Sequence, residues 1–365
     1  MFLIVTRNFP PDIGGIQNLM AGLSESLLEH GPVKVFADEF LNSKQFDTNS
    51  SISIERVKGL KLFKKYRKAM IVNDFINENT NIRAIITDHW KSLELLKTDY
   101  LKKSKVFCLV HSKEINHEVG SSLNKRLIKS TNKADFVISN SNFTKELAIK
   151  VGIDKSKINV IFPGIKKPKQ INNLFRIKAE NIFKDSFPRI ITVARLDKRK
   201  GHDKILMLIK NLKLKFPKIK YLSIGFGKEE DNLISLSKEL GVEKEVIILK
   251  IIEEDLKLAL ISSSNLFLMP SRIEKKSVEG FGISFVEAAS YGVASIGGKD
   301  GGASDAISHN KTGLICDGND LNSIYETVID FFNDKKFVKL GTDAQKFSEN
   351  FYWNDVVKKY LKLIN

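Results

Sequence analysis

Residues 2–28 read FLIVTRNFPPDIGGIQNLMAGLSESLL. Phe2–Thr6 is a short apolar run that ends at a turn, which predicts a parallel strand buried on both faces. The turn, Phe9-Pro10-Pro11-Asp12-Ile13-Gly14-Gly15, leads into a helical pattern of Ile16, Leu19, Met20, Leu23 and Leu27. Its glycines let a ligand come close to the backbone. The order is strand, glycine loop, helix, without the G-x-G-x-x-G spacing of a dinucleotide site. Taken alone, such a turn reads first as a structural feature.

The same unit recurs along the chain. Strand-like runs follow at Val33–Phe36, Ile52–Val57, Ala84–Thr87, Val106–Val110, Phe136–Ser139 and Asn159–Phe162. Helical patterns such as Ile71–Asn77 and Phe143–Lys150 separate several of them. Alternation of this kind predicts a doubly wound α/β domain, whose ligands sit at the carboxyl ends of the strands. His111 directly follows the run VFCLV and falls on that edge. The pattern breaks at Pro163-Gly164, and Lys166, Lys167, Pro168 and Lys169 read as an interdomain linker. A second series begins at Arg189–Val193 and continues through Tyr221–Ile224, Val246–Leu249, Leu266–Met269 and Ala294–Ile296. Helical runs lie near 229–240, 253–261 and 283–291, then at 319–334 and 336–349. The expected domains are 1–165 and 166–349, each Rossmann-like, with a closing amphipathic helix over 350–365 that carries Trp353, Val356, Val357, Tyr360 and Leu361.

Composition bounds the function. A chain of 365 residues with 42% hydrophobic content is long enough for two cores. Cys108 and Cys316 lie too far apart for a disulfide framework or a zinc spacing, which fits a reducing cytoplasm. The start, MFLIVTRNFPP, reads as a first strand and not as a signal peptide. No run reaches the length of a membrane span. The formal net charge of +16 points to a polyanionic partner or to a lysine-rich composition bias. No zinc-finger, RRM or KH pattern speaks for nucleic acid.

The chemistry concentrates in Val278–Asp305, VEGFGISFVEAASYGVASIGGKDGGASD. Glu279 and Glu287 stand eight residues apart with Gly-Phe-Gly-Ile between them. A helix starting near Ile283 places Glu287 in or near its first turn and leaves Glu279 in the preceding loop. The N–H groups of Phe281, Gly282 and Ile283 then face open space at the positive end of the helix, a phosphate site. Upstream, the strand Arg189–Val193 feeds Ala194-Arg195-Leu196-Asp197-Lys198-Arg199-Lys200-Gly201 and a helix. Arg195 and Lys200 can neutralise a diphosphate, Glu287 can accept from a ribose diol, and Glu279 can hold sugar hydroxyls. The chain has no Asp-x-Asp pair. A diphosphate held by Arg, Lys and a helix dipole fits that absence, so no metal and no cofactor are expected.

These residues resemble a family 4 retaining glycosyltransferase (glycosyl transferase group 1) of the GT-B fold. FPPDIGGIQ resembles its glycine loop, LVHSKE the segment of its active-site histidine, and ADFVISNSNFTKE its last N-domain strand and helix. NVIFPGI resembles the start of the linker, VARLDKRKGHDKIL the Arg/Lys diphosphate loop, and PSRIEKKSVEGFGISFVEAASYGVASIGG the E-x7-E block. GGASDAI and NKTGLIC follow in the family's order. The resemblance implies two Rossmann-like domains facing a central cleft, with the closing helix crossing back to the first. Gly14 and Gly15 would approach the donor phosphates, and Arg195 and Lys200 would bind the diphosphate. Glu279 would hold the transferred sugar, Phe281, Gly282 and Ile283 would touch sugar and phosphate through backbone N–H groups, and Glu287 would bind the ribose. His111 would contact the sugar or its developing charge. Lys250, Ile251 and Ile252 are the nucleobase candidates, Lys250 standing where the family usually has glycine. Ser295 stands where the family often has an apolar residue.

PPDIGGIQ and the insert SRIEKKSVEGFGI resemble the phosphatidylinositol mannosyltransferase branch, which uses GDP-mannose at the inner face of the plasma membrane. GDP-mannose is therefore the favoured donor and a UDP-sugar the close second. The acceptor is expected to be a glycan or a lipid-linked molecule in envelope glycolipid or polysaccharide synthesis. Gln17, Lys64, Lys65 and Arg67 are its candidate contacts. The segment Lys58–Met70, KGLKLFKKYRKAM, is either a basic amphipathic element for an anionic membrane or a solvated helix face. The rival readings are an epimerase-like enzyme on a sugar nucleotide and a non-catalytic basic binding protein on the same fold.

Overall fold

The computed structural model describes the backbone of residues 1–365 and the side chains of all but Lys61 and Leu62. The chain forms two compact units, Met1–Lys166 with Phe351–Asn365, and Lys167–Asn350.

The first unit is built on a seven-stranded sheet in the order β3-β2-β1-β4-β5-β6-β7. Its strands are β1 (Phe2–Val5), β2 (Val33–Asp38), β3 (Ser53–Val57), β4 (Ala84–Thr87), β5 (Lys105–Val110), β6 (Phe136–Ser139) and β7 (Ile158–Val160). All are paired in parallel; Phe2 lies opposite Val33 on one side and Ala84 on the other. Helices cover both faces, which is why β1 is apolar at every position. Phe2 and Ile4 join one core with Leu23, Trp353 and Tyr360, while Leu3 and Val5 join the other with Val72, Trp90 and Val137. The last helix, Trp353–Ile364, packs on the helix Gly15–Leu28. The Trp353 ring fills the space that a side chain at Gly22 or Gly164 would need.

The second unit carries a six-stranded sheet in the order β10-β9-β8-β11-β12-β13. Its strands, again parallel, are β8 (Arg189–Val193), β9 (Lys220–Ile224), β10 (Val246–Leu249), β11 (Leu266–Met269), β12 (Ser295–Gly298) and β13 (Gly313–Cys316). In each sheet the strand order reverses beside the first strand, between β1 and β4 and between β8 and β11. An open α/β sheet leaves a crevice at such a point, at the carboxyl ends of the strands.

Residues 61–78 form one helix, Lys61–Glu78. Lys68 departs from the basic face expected for this segment. It is buried, and its Nζ bonds Asp38 Oδ1 at 2.6 Å and the Thr6 carbonyl at 2.7 Å. The expected contributions of Lys61 and Leu62 to that face lie outside the described side chains.

Candidate active site

The second unit gathers its chemistry where β8, β11 and β12 end. The loop after β8 turns through Lys198–Lys200 into the helix His202–Lys215. Gly201 makes that turn at φ +81°, a conformation that suits glycine. Two bonds fix the loop from behind. The Arg272 N–H donates to the Arg199 carbonyl at 2.9 Å, and Arg272 itself forms a two-pronged pair with Asp203 at 3.0 and 2.8 Å. His202 Nε2 meets the Arg195 carbonyl at 3.2 Å, and because a carbonyl only accepts, this nitrogen carries the proton. Burial pulls the His202 pKa down to about 4, so the ring is neutral.

From this loop Arg199 and Lys200 both reach Glu279. Arg199 Nη1 lies 2.7 Å from Glu279 Oε2, and Lys200 Nζ bonds the same oxygen. All three side chains are buried. Burial opposes ionisation of Glu279, but the attraction of Lys200 and Arg199 outweighs it and brings its pKa down to about 2. Burial, helped by repulsion from Arg199, pulls the Lys200 ammonium below the ordinary lysine range. Asp197 also stands 3.8 Å from Arg199 Nε, so Arg195, Arg199 and Lys200 together face two carboxylates and leave a surplus of one positive charge. The backbone of Glu279 is held as well: Gly302 N–H donates to its carbonyl at 2.9 Å. Gly301, at φ +87°, passes so close to that carbonyl that a Cβ would press on it. The helix Ile283–Ser290 begins just beyond, with Gly282 at φ +89° as its N-cap. Its first turn presents backbone N–H groups beside the surplus charge.

Glu287 is the fifth residue of that helix, one turn further in than Ile283. Its Oε1 lies 2.8 Å from Lys257 Nζ, which also bonds Glu254 at 2.8 Å. The two glutamates of the E-x7-E block therefore sit in separate settings, one with two cations and one sharing a single cation. Arg195 is not drawn to either glutamate; its side chain is 65% exposed, and Asp197 stands 3.8 Å away. Lys250 is exposed and pairs with Glu230 at 2.8 Å, with Ile251 exposed and Ile252 half-buried beside it.

In the first unit the corresponding edge is organised by Asp88, a residue the sequence reading passed over. It follows β4, is fully buried, and accepts from Thr6 Oγ1 at 2.8 Å, Arg7 N–H at 3.0 Å and Ser92 Oγ at 2.7 Å. It thereby ties β4 to the loop that leads to Gly14 and Gly15. His111, after β5, meets the Asp88 carbonyl through Nε2 at 2.9 Å. That contact puts the ring proton on Nε2 and leaves Nδ1 as the acceptor of the neutral ring. Burial brings the neighbouring His89 pKa down to about 3. A Cβ on Gly14 would collide with Gln17, whereas a Cβ on Gly15 would meet nothing within 4 Å. Gln17 is buried and donates to Asp12. Lys64 is half-buried, while Lys65 and Arg67 are exposed.

Arg199 and Lys257 were also missed from sequence. Arg199 lay within the basic loop already singled out, between two lysines, and nothing in the spacing says which of the three side chains turns inward. Lys257 offered only the i,i+3 spacing to Glu254, which is common on solvated helices.

Two family models match the chain. Glycosyltransferase Family 4 covers residues 13–167, and Glycosyl transferases group 1 covers residues 174–350. Among curated relatives, a GDP-mannose-dependent alpha-(1-6)-phosphatidylinositol monomannoside mannosyltransferase of Mycolicibacterium smegmatis is 23% identical, over 96% of this chain and 94% of its own length. The Mycobacterium tuberculosis protein of the same name is 24% identical, over 98% and 96%. Among solved structures, Anabaena Alr3699/HepE in complex with UDP aligns with a TM-score of 0.83 at 16% identity, over 100% of this chain and 99% of its own. Sucrose-phosphate synthase from Thermosynechococcus elongatus aligns at 0.78 and 19%, over 100% and 98%. Together with the two parallel Rossmann-like sheets, these matches place the chain among the glycosyltransferases of the GT-B fold, with a family 4 first half and a group 1 second half.

Proposed function

We propose that this glycosyltransferase moves a hexose from a nucleotide-diphosphate sugar, GDP-mannose in the first instance, to a lipid-linked or glycan acceptor, with retention at the anomeric carbon. The observation that carries the reading is the excess of cations, Arg195, Arg199 and Lys200 against Asp197 and Glu279, next to a helix start. An anionic diphosphate completes that charge balance, with the N–H groups of Gly282 and Ile283 as further donors. Lys200 turns from Glu279 to the phosphates, Arg195 adds a second cation, and Arg199 stays with Glu279 and keeps it ionised. Glu279 then accepts hydrogen bonds from hydroxyls of the transferred sugar. The C–O bond from the anomeric carbon to phosphate breaks as the acceptor oxygen forms its own bond on the same face. The acceptor proton passes to the departing phosphate, so neither glutamate serves as a nucleophile.

In the first unit Gly15 gives a phosphate room at the backbone, and His111 Nδ1 accepts from a sugar hydroxyl. GDP is favoured because the mycobacterial relatives, matched over nearly their whole length, are named as GDP-mannose-dependent. A lipid acceptor is favoured by those names and by the face of the helix Lys61–Glu78. There Phe63, Tyr66 and Met70 are exposed among Lys64, Lys65 and Arg67, with Leu60 exposed just before it. Apolar side chains ringed by cations suit an anionic lipid surface at the inner face of the plasma membrane. No described helix is long and apolar enough to cross a membrane.

The test is transfer of labelled sugar from GDP-mannose and from UDP-glucose to vesicles containing phosphatidylinositol, with proton NMR of the product anomer. Label in the lipid fraction with an α-linkage supports the reading. A β-linked product from these α-donors overturns retention, and label appearing only as free sugar overturns transfer.

A further inference from the structure

The two carboxylates of the E-x7-E block differ in electrostatic setting, and the difference reaches beyond the block to a lysine. Lys257 lies on the helix Glu254–Ser262, and its side chain is 14% exposed. Its Nζ lies 2.8 Å from Glu287 and 2.8 Å from Glu254. One ammonium between two carboxylates leaves a surplus of one negative charge. Around Glu279 three cations, Arg195, Arg199 and Lys200, face two carboxylates, Glu279 and Asp197, and the surplus is positive. A diphosphate is therefore drawn to Glu279's neighbours and repelled from Glu287's. A neutral diol is the complementary ligand at Glu287, because hydroxyls donate and bring no charge.

We infer that Lys257 is a positioning residue that holds Glu287 aimed at the ribose of the donor nucleotide, so that the nucleotide binds in one direction. The inference rests on the assignment of Glu287 to ribose made above. Lys257 engages Oε1 of Glu287 and leaves Oε2 for the diol. Burial disfavours the Lys257 ammonium, but Glu287 and then Glu254 outweigh it and raise its pKa, so the cation is permanent. Without it Glu287 faces Glu254 unshielded, and like-charge repulsion turns one of them away. A displaced Glu287 no longer presents its carboxylate to a hydroxyl pair.

The experiment measures the affinity of the full chain for GDP and UDP, each against its 2′,3′-dideoxy counterpart, by calorimetry. A hydrogen bond from a hydroxyl to a charged acceptor corresponds to roughly 10–100-fold in affinity. Wild type is expected to prefer the ribonucleotide by that factor. Glu287→Gln and Lys257→Met should both collapse the preference to about threefold or less, and Lys257→Arg should restore most of it. A purely structural lysine would weaken both nucleotides alike and leave their ratio unchanged. If Lys257→Met keeps the wild-type ratio while Glu287→Gln loses it, the inference is wrong and the ribose assignment stands. If wild type shows no preference, or Glu287→Gln keeps it, the ribose assignment itself fails and the inference with it. Should Lys257→Met not fold, Lys257→Gln carries the same expectation, and a wild-type ratio there overturns the proposal.

Discussion

Arg199, Lys200 and Glu279 make a prediction that separates stability from activity. The guanidinium and carboxylate side chains are only 8% and 11% exposed, and Lys200 is 11% exposed. Changing Glu279 to Gln leaves two buried cations facing each other with only Asp197, 3.8 Å from Arg199, as a distant anion. Breaking a buried pair in this way costs about 3–5 kcal/mol. The depressed Glu279 pKa, held down against burial by Lys200 and Arg199, points in the same direction. Changing Lys200 to Met instead keeps Glu279 paired with Arg199 at 2.7 Å and removes the surplus charge. Because Arg199 still compensates the carboxylate, the loss is smaller than the full cost of an uncompensated buried charge. For a unit of this size about 1 kcal/mol moves Tm by roughly 2–4 °C. Glu279→Gln should therefore lower the Tm of the second unit by roughly 6–20 °C. Lys200→Met should lower it by clearly less, because Glu279 keeps Arg199. Both should abolish transfer, and saturating nucleotide should raise the Tm of wild type but not of Lys200→Met. The assay is a set of thermal melts with and without nucleotide, paired with transfer rates. A Lys200→Met variant as destabilised as Glu279→Gln would refute the surplus-cation account.

Three further outcomes are expected. Glu279 has a folded pKa below its unfolded one, so its contribution is present above pH 4.5 and lost as pH falls toward 2; acid melts of wild type should show that loss, and Glu279→Gln should lack it. Gly15→Val should keep Tm within about 2 °C, because a side chain there meets nothing in the unliganded chain, yet lower kcat/KM by at least about 100-fold; an active variant would remove Gly15 from the donor site. Trp353→Ala should destabilise the first unit by about 3–5 kcal/mol, since the ring fills the space over Gly22 and Gly164; a drop in Tm of under about 2 °C would contradict that packing.

Much of this fold is legible in the chain because parallel strands buried on both faces leave apolar runs. FLIV, AIIT and LFLM are such runs, and each is a strand. Gly313–Cys316 escaped because an edge strand of four residues, one of them glycine, carries little pattern. The helix Ser122–Thr131 escaped because its apolar side chains are few among polar ones. The candidate site was readable in its backbone, where glycines and the E-x7-E spacing mark turns and a helix start. Its side-chain pairings were not. Which of Lys198, Arg199 and Lys200 reaches Glu279, and that Lys68 turns inward to Asp38, depend on the reach of long side chains across elements distant in sequence. Asp88 was hidden for a related reason. Its partners, Thr6 and Arg7, are brought to it by β1 lying beside β4, and no local pattern encodes that neighbour.

The central claim is that a nucleotide-diphosphate sugar binds through the surplus cation on Lys200. Calorimetric titration of wild type and Lys200→Met with GDP-mannose, UDP-glucose and ADP-glucose tests it most directly. The account predicts that wild type binds one of these donors, GDP-mannose first, and that Lys200→Met weakens that binding by roughly 10–100-fold while remaining folded. No binding of any donor by wild type, or equal binding by Lys200→Met, would contradict it.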